Sequence, residues 1–225
     1  MSEQALVEGL DVSRRFRQGT TELTALQAAT FAVYPRDRIA IVGPSGSGKS
    51  TLLHLIGDLD QPSSGGLRWP ALGAPGSLRP AHIGLVFQSA SLIPTLSVAE
   101  NVELVLQLAG SMQDSHTRVM NTLASLDIAG VADKLPDELS GGQAQRVDIA
   151  RAIVLRPRLV LADEPTGQLD HATAHLAMNA LWRALADSDA ALVISTHDPS
   201  VAVRFPTLWH MDHGQLSVHQ QGARS

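Results

Sequence analysis

The sequence predicts an α/β fold: a parallel β-sheet, an antiparallel sheet near the N-terminus and a helical insert in the middle of the chain. Three short apolar runs, each followed by polar or glycine residues, predict the buried parallel strands. These runs are Ile39–Val42, Leu159–Ala162 and Ala191–Ile194. The weaker candidates are Ala5–Val12 and Thr30–Val33, which we assign to the antiparallel sheet, and Ile83–Phe87. Ligands gather at the carboxyl ends of strands in such sheets, so the residues after each strand are the first site candidates.

The helical insert is predicted over roughly residues 91–156, where apolar residues recur at helical spacing. Its first two helices carry on their apolar faces Val98, Val102, Val105 and Ala109, and then Val119, Leu123 and Leu126. Ser97 is a suitable N-cap for the first helix, and Glu100 stands where a capping box requires it. A third helix is predicted after the Ser140-Gly141-Gly142 turn. The glycine-, proline- and serine-rich stretch between Pro62 and Pro80 is predicted to form turns and loops.

The composition indicates an ordinary globular protein of one domain, residues 1–225, with the helical segment as a subdomain. A net charge of −5 argues against nucleic acid as a partner, because nucleic-acid binders rely on a basic face. The absence of cysteine excludes disulfides, thiolate catalysis and cysteine metal sites. Met1–Gln4 lacks the features of a secretory signal, and no apolar run approaches the ~20 residues that span a bilayer. We therefore expect contact with a membrane only through a partner.

Residues 43–50 form a complete phosphate-binding loop of the pattern G-x-x-x-x-G-K-[ST]. The glycines let backbone N–H groups converge on a phosphate, Lys49 neutralises β- and γ-oxygens, and the Ser50 hydroxyl coordinates Mg²⁺. The alternative is a glycine-rich turn without a ligand. It is disfavoured because the strand Ile39–Val42 precedes the loop and the apolar helix Leu52–Ile56 follows it. The predicted nucleotide contacts are Gly43, Pro44, Ser45, Gly46, Ser47, Gly48, Lys49 and Ser50.

Two acidic residues, Asp163 and Glu164, follow the strand Leu159–Ala162. Asp163 is placed to hold Mg²⁺ through water, which supplies the second half of a phosphate-loop nucleoside-triphosphatase site. Glu164 can reach the attacking water as a general base or polariser. The alternative is an acidic pair that caps a helix before Pro165. That alternative would be preferred for either residue alone, but not after a phosphate-binding loop.

Three further side chains are candidates because of where they stand along the chain. His197 closes the strand Leu192–Ile194, where an imidazole can contact a γ-phosphate and orient both the water and Glu164; a lone histidine is more often a surface or core residue. Gln88 follows Ile83–Phe87, and its amide can bridge Mg²⁺ or water, although an ordinary loop glutamine is the simpler reading. Phe16 offers a face for adenine stacking, with a strand-edge core aromatic as a nearly equal alternative.

The segment Leu139–Gln143 is a second glycine-rich, phosphate-seeking motif. Its glycines allow close backbone approach, and the start of the following helix favours an anion. Since the chain already has a complete phosphate cradle, a second one indicates a nucleotide that is shared between two chains. The predicted contacts are Ser140, Gly141, Gly142 and Gln143.

Together these motifs resemble the ATP-binding subunits of ABC transporters, from Phe16 to about Leu216. The motifs that occur in family order are the phosphate loop, Gln88, the signature Leu139–Gln143, Asp163-Glu164, the D-loop Leu169-Asp170 and His197. Two further stretches, Leu161–Asp170 and Asn101–Leu106, look most like the lipoprotein-release, macrolide-export and cell-division branch.

The resemblance implies the ABC ATPase fold and a head-to-tail homodimer that hydrolyses ATP with Mg²⁺. Each ATP would lie between Gly43–Thr51 of one chain and Ser140–Gln143 of the other. The other implied roles are catalysis by Glu164 and His197, metal binding by Ser50, Gln88 and Asp163, and nucleotide binding by Phe16, Thr51 and Asp170. The Gln88 segment would pass motion to a separate integral-membrane permease at the cytoplasmic face of the inner membrane, in export or membrane extraction.

Three features depart from the branch, and one alternative function stays open. The segment Ser63–Ile83 is short, Asp148 stands where a small residue is common, and Gln168 replaces the usual asparagine. The alternative is a regulatory module of the same fold, which couples ATP to a membrane partner without carrying cargo. A soluble ABC ATPase of DNA repair or translation is disfavoured, because such proteins typically carry coiled-coil insertions or two cassettes. The cargo itself is not readable from the chain.

Overall fold

The computed structural model describes residues 3–19 and 21–220, which divide into two compact units. The first unit holds the described residues up to Leu78, then Leu161–Asp163, and the described residues from Ala191 onward. The second unit holds Arg79–Val160 and Glu164–Ala190, a range that includes the segment 91–156.

The first unit is built on two sheets and two helices. In chain order its elements are β1 (Val7–Gln18), β2 (Thr21–Val33), β3 (Arg38–Val42), α1 (Lys49–Ile56), β4 (Ser64–Arg68), the end of β6 (Leu159–Asp163), β7 (Ala191–Thr196), α6 (Pro199–Ala202), β8 (Thr207–Asp212) and β9 (Gln215–Gln220).

The antiparallel sheet has the order β2-β1-β4. The predicted pairing of the two N-terminal segments is confirmed, with Val7 opposite Val33. Both strands continue beyond the predicted segments, because register shifts interrupt the alternation in β1 and the first residues of β2 are exposed. The prediction of loops between Pro62 and Pro80 is wrong for β4, which pairs with β1. Its side chains are mostly exposed, so the stretch carries no apolar pattern.

The parallel sheet forms the centre of the first unit, and its predicted strands are confirmed. β3 pairs in parallel with β7 and with β8, and β9 returns antiparallel to β8. β6 is the next strand beyond β7. Ile41 in β3 and Ile194 in β7 are fully buried. Because Val42 is level with Thr196 in the sheet, the segments after both strands start at the same edge.

The second unit is mainly helical. Its elements are β5 (Ile83–Val86), α2 (Val98–Leu108), α3 (Ser115–Ser125), α4 (Gly141–Ile153), the start of β6 and α5 (His171–Leu185). The predicted capping box of α2 is confirmed: the Ser97 N–H donates to Glu100 Oε2 at 2.7 Å, and the Glu100 N–H donates to Ser97 Oγ at 3.2 Å. The predicted apolar residues Val102, Val119 and Leu123 are buried.

No helix within residues 3–19 and 21–220 is both long enough and apolar enough to cross a bilayer.

Candidate functional site

The phosphate-binding loop leaves β3 and enters α1, and two of its glycines are required by space. A Cβ on Gly43 would lie 2.0 Å from the carbonyl oxygen of Met211, and one on Gly48 would lie 2.2 Å from that of Ala25. Gly48 also has φ +105°, a conformation that side chains rarely adopt. The loop is therefore held against the backbone of its own unit, with no room for larger residues at these two positions.

Lys49 is the first residue of α1 and is 5% exposed. Its ammonium group donates to the carbonyl oxygens of Gly43 at 3.0 Å and Pro44 at 3.1 Å. A buried ammonium needs such partners, because burial removes it from water. The charge is thus held over the loop at the N-terminus of α1, where the partial positive charge of the helix also favours an anion.

The remaining hydroxyls of the loop differ in exposure. Ser50 is exposed in the first turn of α1, and Thr51 is half-buried. The Ser47 hydroxyl is buried and has no hydrogen-bond partner among the described residues. The loop thus combines the Lys49 ammonium, the N-terminus of α1 and a buried hydroxyl without a partner in the described part of the chain. These features are expected of a loop that binds an anionic ligand rather than of a turn without one.

Asp163 ends β6 in the first unit, and its carboxylate accepts a short hydrogen bond from the Ser195 hydroxyl of β7. Ser195 itself is completely buried. This bond fixes the carboxylate at the carboxyl ends of two neighbouring strands, the edge from which the loop after β3 also starts.

His197 follows β7 directly and is exposed. It borders a pocket of about 520 Å³ that is also lined by Gly43 and Pro44 of the loop and by His210 of β8. The next residue, Asp198, caps the short helix α6 by accepting from the Ser200 N–H at 2.8 Å. The structure therefore brings His197 and the start of the phosphate loop to one pocket, as their strand positions predicted.

Phe16 lies on β1 opposite Leu23 of β2, and its side chain is 38% exposed. The Arg14 guanidinium stacks on one face of the ring, 4.5 Å from the centroid. Arg14 is in turn held by Asp60 through a bond of 2.7 Å. The ring of Phe16 is therefore partly exposed on the strand and partly covered by Arg14.

Gln88 and Glu164 come together in the second unit. A Cβ on Gly167 would lie 3.3 Å from both Gln88 Nε2 and Glu164 Oε2, so the two side chains flank the same glycine. Glu164 has φ +44°, an uncommon conformation for a residue with a side chain. Such backbone strain persists only where the surroundings hold it, and it clusters at functional sites.

The second glycine-rich motif begins α4 with a reciprocal cap. The Gln143 N–H donates to Ser140 Oγ at 3.3 Å, and the Ser140 N–H donates to Gln143 Oε1 at 2.9 Å. The side chains of both residues are thereby fixed to the helix end. Ser140 and Gly141 are exposed, so the N-terminus of a 13-residue helix faces outward for an anion.

Gly142 packs against the start of α5. A Cβ there would lie 2.1 Å from Thr173 Cγ2. Thr173 is held by Asp170, which caps α5 by accepting from the Thr173 N–H at 3.0 Å and from its hydroxyl at 2.6 Å. These hydrogen bonds lower the pKa of Asp170. Gly142 and Asp170 are therefore linked through a single residue, Thr173.

Two structural links around Gln88 were not predicted. Gln168 Nε2 donates to Ser89 Oγ at 2.8 Å. This atypical residue therefore contacts the residue that follows Gln88 in the sequence. Gln145, Asp148 and Arg151 of α4 hold the backbone of the Phe87–Ser91 segment. In the sequence, the charge of Asp148 within a predicted packed helix indicated that some group must satisfy it. The sequence did not show which residues would do so.

The donor set of the first unit fits a magnesium ion that is bound together with a phosphate ligand. Within residues 3–19 and 21–220, no three His, Cys, Asp or Glu side chains are grouped so that they could hold a metal ion. Ser50 and Asp163 offer one hydroxyl and one carboxylate. Mg²⁺ typically takes one or two carboxylates together with substrate phosphates, so a sparse oxygen set is what such a site needs.

A sequence model of the family described as "ABC transporter" matches residues 26–167. The "Lipoprotein-releasing system ATP-binding protein LolD" of Chromohalobacter salexigens is 41% identical over 93% of this chain and 91% of its own length. The protein of the same name from Legionella pneumophila (strain Lens) is 40% identical over 92% of this chain and 95% of its own length. The "Macrolide export ATP-binding/permease protein MacB" of Syntrophobacter fumaroxidans is 38% identical over 88% of this chain but only 29% of its own length.

Solved structures share the fold along nearly the whole chain. A dimer described as a post-hydrolysis state of the ATP-binding cassette MJ0796 bound to ADP and Pi has a TM-score of 0.86 and 33% identity, covering 96% of this chain and 99% of that one. The cbiO1 protein of Clostridium perfringens, described as part of the transporter complex cbiONQ, has a TM-score of 0.84 and 27% identity, covering 97% and 89%. These likenesses confirm the predicted fold class.

Proposed function

Because the chain belongs to the ABC transporter family, we propose that it is the ATP-binding and ATP-hydrolysing subunit of a transporter. It dimerises around two ATP molecules and drives a separate transmembrane permease. The observation that carries this proposal is the phosphate-binding loop, with its buried Lys49 held over the loop by the Gly43 and Pro44 carbonyls. A triphosphate is a charged acceptor for that ammonium, and hydrogen bonds between charged groups are stronger than those between neutral ones.

In the proposed dimer each nucleotide lies between two chains, with residues 43–51 of one chain on one side. The N-terminus of α4, Ser140–Gln143, supplies the other side from the second chain. Its outward-facing position supports this arrangement, because a helix start offers unpaired N–H groups to an anion. Residues 1–225 act as one ATP-binding domain, with 91–156 as its helical subdomain.

The proposed metal ligands are Ser50, Gln88 and Asp163, and the bound Mg²⁺ would neutralise charge on the β- and γ-phosphates. The short hydrogen bond from the Ser195 hydroxyl supports the role of Asp163 as a metal ligand, because it occupies one carboxylate oxygen and thereby fixes the orientation of the other. Gln88 brings an amide oxygen from the loop after β5, beside the Glu164 carboxylate.

Glu164 and His197 are the proposed catalytic residues. Glu164 orients the attacking water and accepts its proton. The strained backbone at Glu164 supports this role, because a general base must hold its carboxylate in one orientation toward the water. His197 contacts the γ-phosphate from the pocket it shares with Gly43 and Pro44. Phe16 stacks on adenine, and Asp170 takes part in nucleotide binding from its position as the N-cap of α5.

We propose export or extraction from the membrane, because the names of the LolD and MacB relatives refer to lipoprotein release and macrolide export. The chain works at the cytoplasmic face of the inner membrane and contacts the bilayer only through its permease. Neither nucleic acid nor a cargo pocket within the chain is part of this proposal.

Steady-state ATP hydrolysis by the purified chain tests the catalytic part. Glu164→Gln removes the proton acceptor but keeps the shape of the side chain, so we expect turnover to fall at least ~100-fold while ATP affinity changes less than about twofold. Dimer should accumulate with ATP in this variant, as measured by light scattering. Lys49→Ala is the matched comparison, in which ATP affinity itself falls. Equal turnover in Glu164→Gln and the parent chain would remove Glu164 from the mechanism.

Affinity purification from gently solubilised membranes tests the partner. Recovery of a multi-span protein whose presence raises the ATPase rate supports a transporter. Recovery with the cell-wall machinery supports the regulatory alternative. Recovery of the chain alone would count against both.

A further inference from the structure

Three polar side chains lie along one face of α4 and reach the same loop. Gln145, Asp148 and Arg151 are spaced by three residues, so they lie near one another on the helix surface. Gln145 Nε2 donates to the Phe87 carbonyl oxygen at 3.1 Å, and Asp148 Oδ2 accepts from the Phe87 N–H at 3.0 Å. Arg151 Nη1 donates to the Ser91 carbonyl oxygen at 2.6 Å.

These contacts hold the loop on both sides of Gln88. Phe87, immediately before it, has both backbone groups bonded to α4, and Ser91, three residues after it, has its carbonyl bonded to α4. The helix that makes these bonds begins at Ser140. The position of the Gln88 backbone is thereby tied to the helix that carries the second glycine-rich motif.

Asp148 is the member of the trio whose presence is hardest to explain by packing alone. It is 2% exposed, and a buried carboxylate is unfavourable unless it is paired and hydrogen-bonded. Its two oxygens are divided: one takes the Phe87 N–H, and the other lies 3.5 Å from Arg151. The same Arg151 group bonds Ser91, so Asp148 orients both contacts of the loop, directly at Phe87 and through Arg151 at Ser91.

We propose that Asp148 is a positioning residue for ATP hydrolysis, which fixes the Phe87–Ser91 segment so that Gln88 stands correctly beside Glu164. The proposal rests on the function given above. Asp148 does not touch the nucleotide, so its effect should fall on turnover rather than on ATP binding, which depends on the loop at Lys49.

Steady-state kinetics of the full chain with MgATP provide the first test. Asp148→Ala removes the acceptor of the Phe87 N–H, and we expect kcat to fall about tenfold with KM for ATP changed less than about twofold, because a misplaced group costs rate rather than binding. Asp148→Asn keeps an acceptor oxygen and should restore kcat to within about threefold of the parent chain. Asp127→Ala, which removes an exposed carboxylate paired with Arg183, is the matched control and should behave as the parent.

A double-mutant cycle separates positioning from a merely structural effect. If Asp148 acts through Gln88, then Asp148→Ala should add little to the loss already caused by Gln88→Ala. Should Asp148→Ala fail to fold, Gln145→Leu gives the same test from the other side of Phe87. Additive losses, or equal losses in Asp148→Ala and Asp148→Asn, would overturn the proposal. A parent chain that hydrolyses no ATP would instead contradict the proposed function.

Discussion

Replacing Asp148 by asparagine should make the protein more stable at neutral and higher pH. Burial raises the pKa of this carboxyl from 3.8 to about 6, against the opposing effects of the Phe87 N–H and of Arg151. One pKa unit corresponds to 1.36 kcal/mol, so ionising Asp148 in the folded state costs about 3 kcal/mol more than in the unfolded chain. Asparagine keeps the acceptor for Phe87 without the charge, and therefore avoids this cost.

The sign of the pH dependence follows from the raised pKa. Above pH 6 both states are ionised, and the folded parent bears the whole cost. As the pH falls from about 6 towards 4, the folded state takes up the proton first, and the parent gains stability relative to the variant. The advantage of Asp148→Asn should therefore be about 3 kcal/mol at pH 8, should shrink to about 0.5 kcal/mol by pH 4, and should vanish only below the unfolded pKa of 3.8.

Urea unfolding of parent and variant from pH 8 down to the lowest pH at which both remain folded measures this difference, and other titrating groups cancel in it. Asp127→Asn is the control: both partners of its ion pair with Arg183 are 60% exposed, so its free-energy difference from the parent should stay small throughout. A variant that is less stable than the parent at pH 8, or a difference that does not change with pH, would refute the reasoning.

Two further substitutions test the packing of the loop and of the helical unit. Gly48→Ala places a Cβ 2.2 Å from the Ala25 carbonyl oxygen and should lower both the Tm and the ATP affinity. Gly46→Ala is the comparison: its Cβ meets nothing within 4 Å, so this variant should show only the milder strain of its positive φ. Thermal unfolding and ATP titration measure both effects. Asn101→Ala removes a fully buried amide that bonds Ile93, Leu96 and Ser97; it should cost about 2–4 kcal/mol in urea unfolding, and an unchanged midpoint would contradict this.

The elements that the sequence predicted well are those whose signal is local. β3 and β7 are continuous apolar runs because they are buried on both faces, and α2 begins at Ser97 because a serine followed by Glu100 closes a capping box. The phosphate loop was predictable in full, since strand, glycines, Lys49 and helix are contiguous. Positions at strand ends likewise placed His197 beside the loop.

The elements that the sequence did not reveal depend on partners far along the chain. β4 is an exposed edge strand whose Gly65 has φ +86° and approaches the Asp11 carbonyl oxygen, so its glycines indicated a turn. α5 was not predicted, although Asp170 proved to be its N-cap. The bonds from α4 to Phe87 join residues about sixty positions apart, and no local pattern names such a pair.

The two glycine motifs differ in what excludes a side chain, and that difference can be tested at Gly142. Backbone oxygens exclude it at Gly43 and Gly48, but at Gly142 the obstacle is the methyl group of Thr173. Gly142→Ala should destabilise the unit by about 1–3 kcal/mol through overpacking. Thr173→Ser removes that methyl and keeps the hydroxyl bond to Asp170, so the double variant should recover most of the loss in urea unfolding; additive losses would refute the packing argument. ATP-driven dimerisation of the folded double variant then tests whether Gly142 also approaches the partner's nucleotide. If it does, dimerisation stays impaired in the double variant. If Gly142 is needed only for packing, dimerisation recovers together with stability.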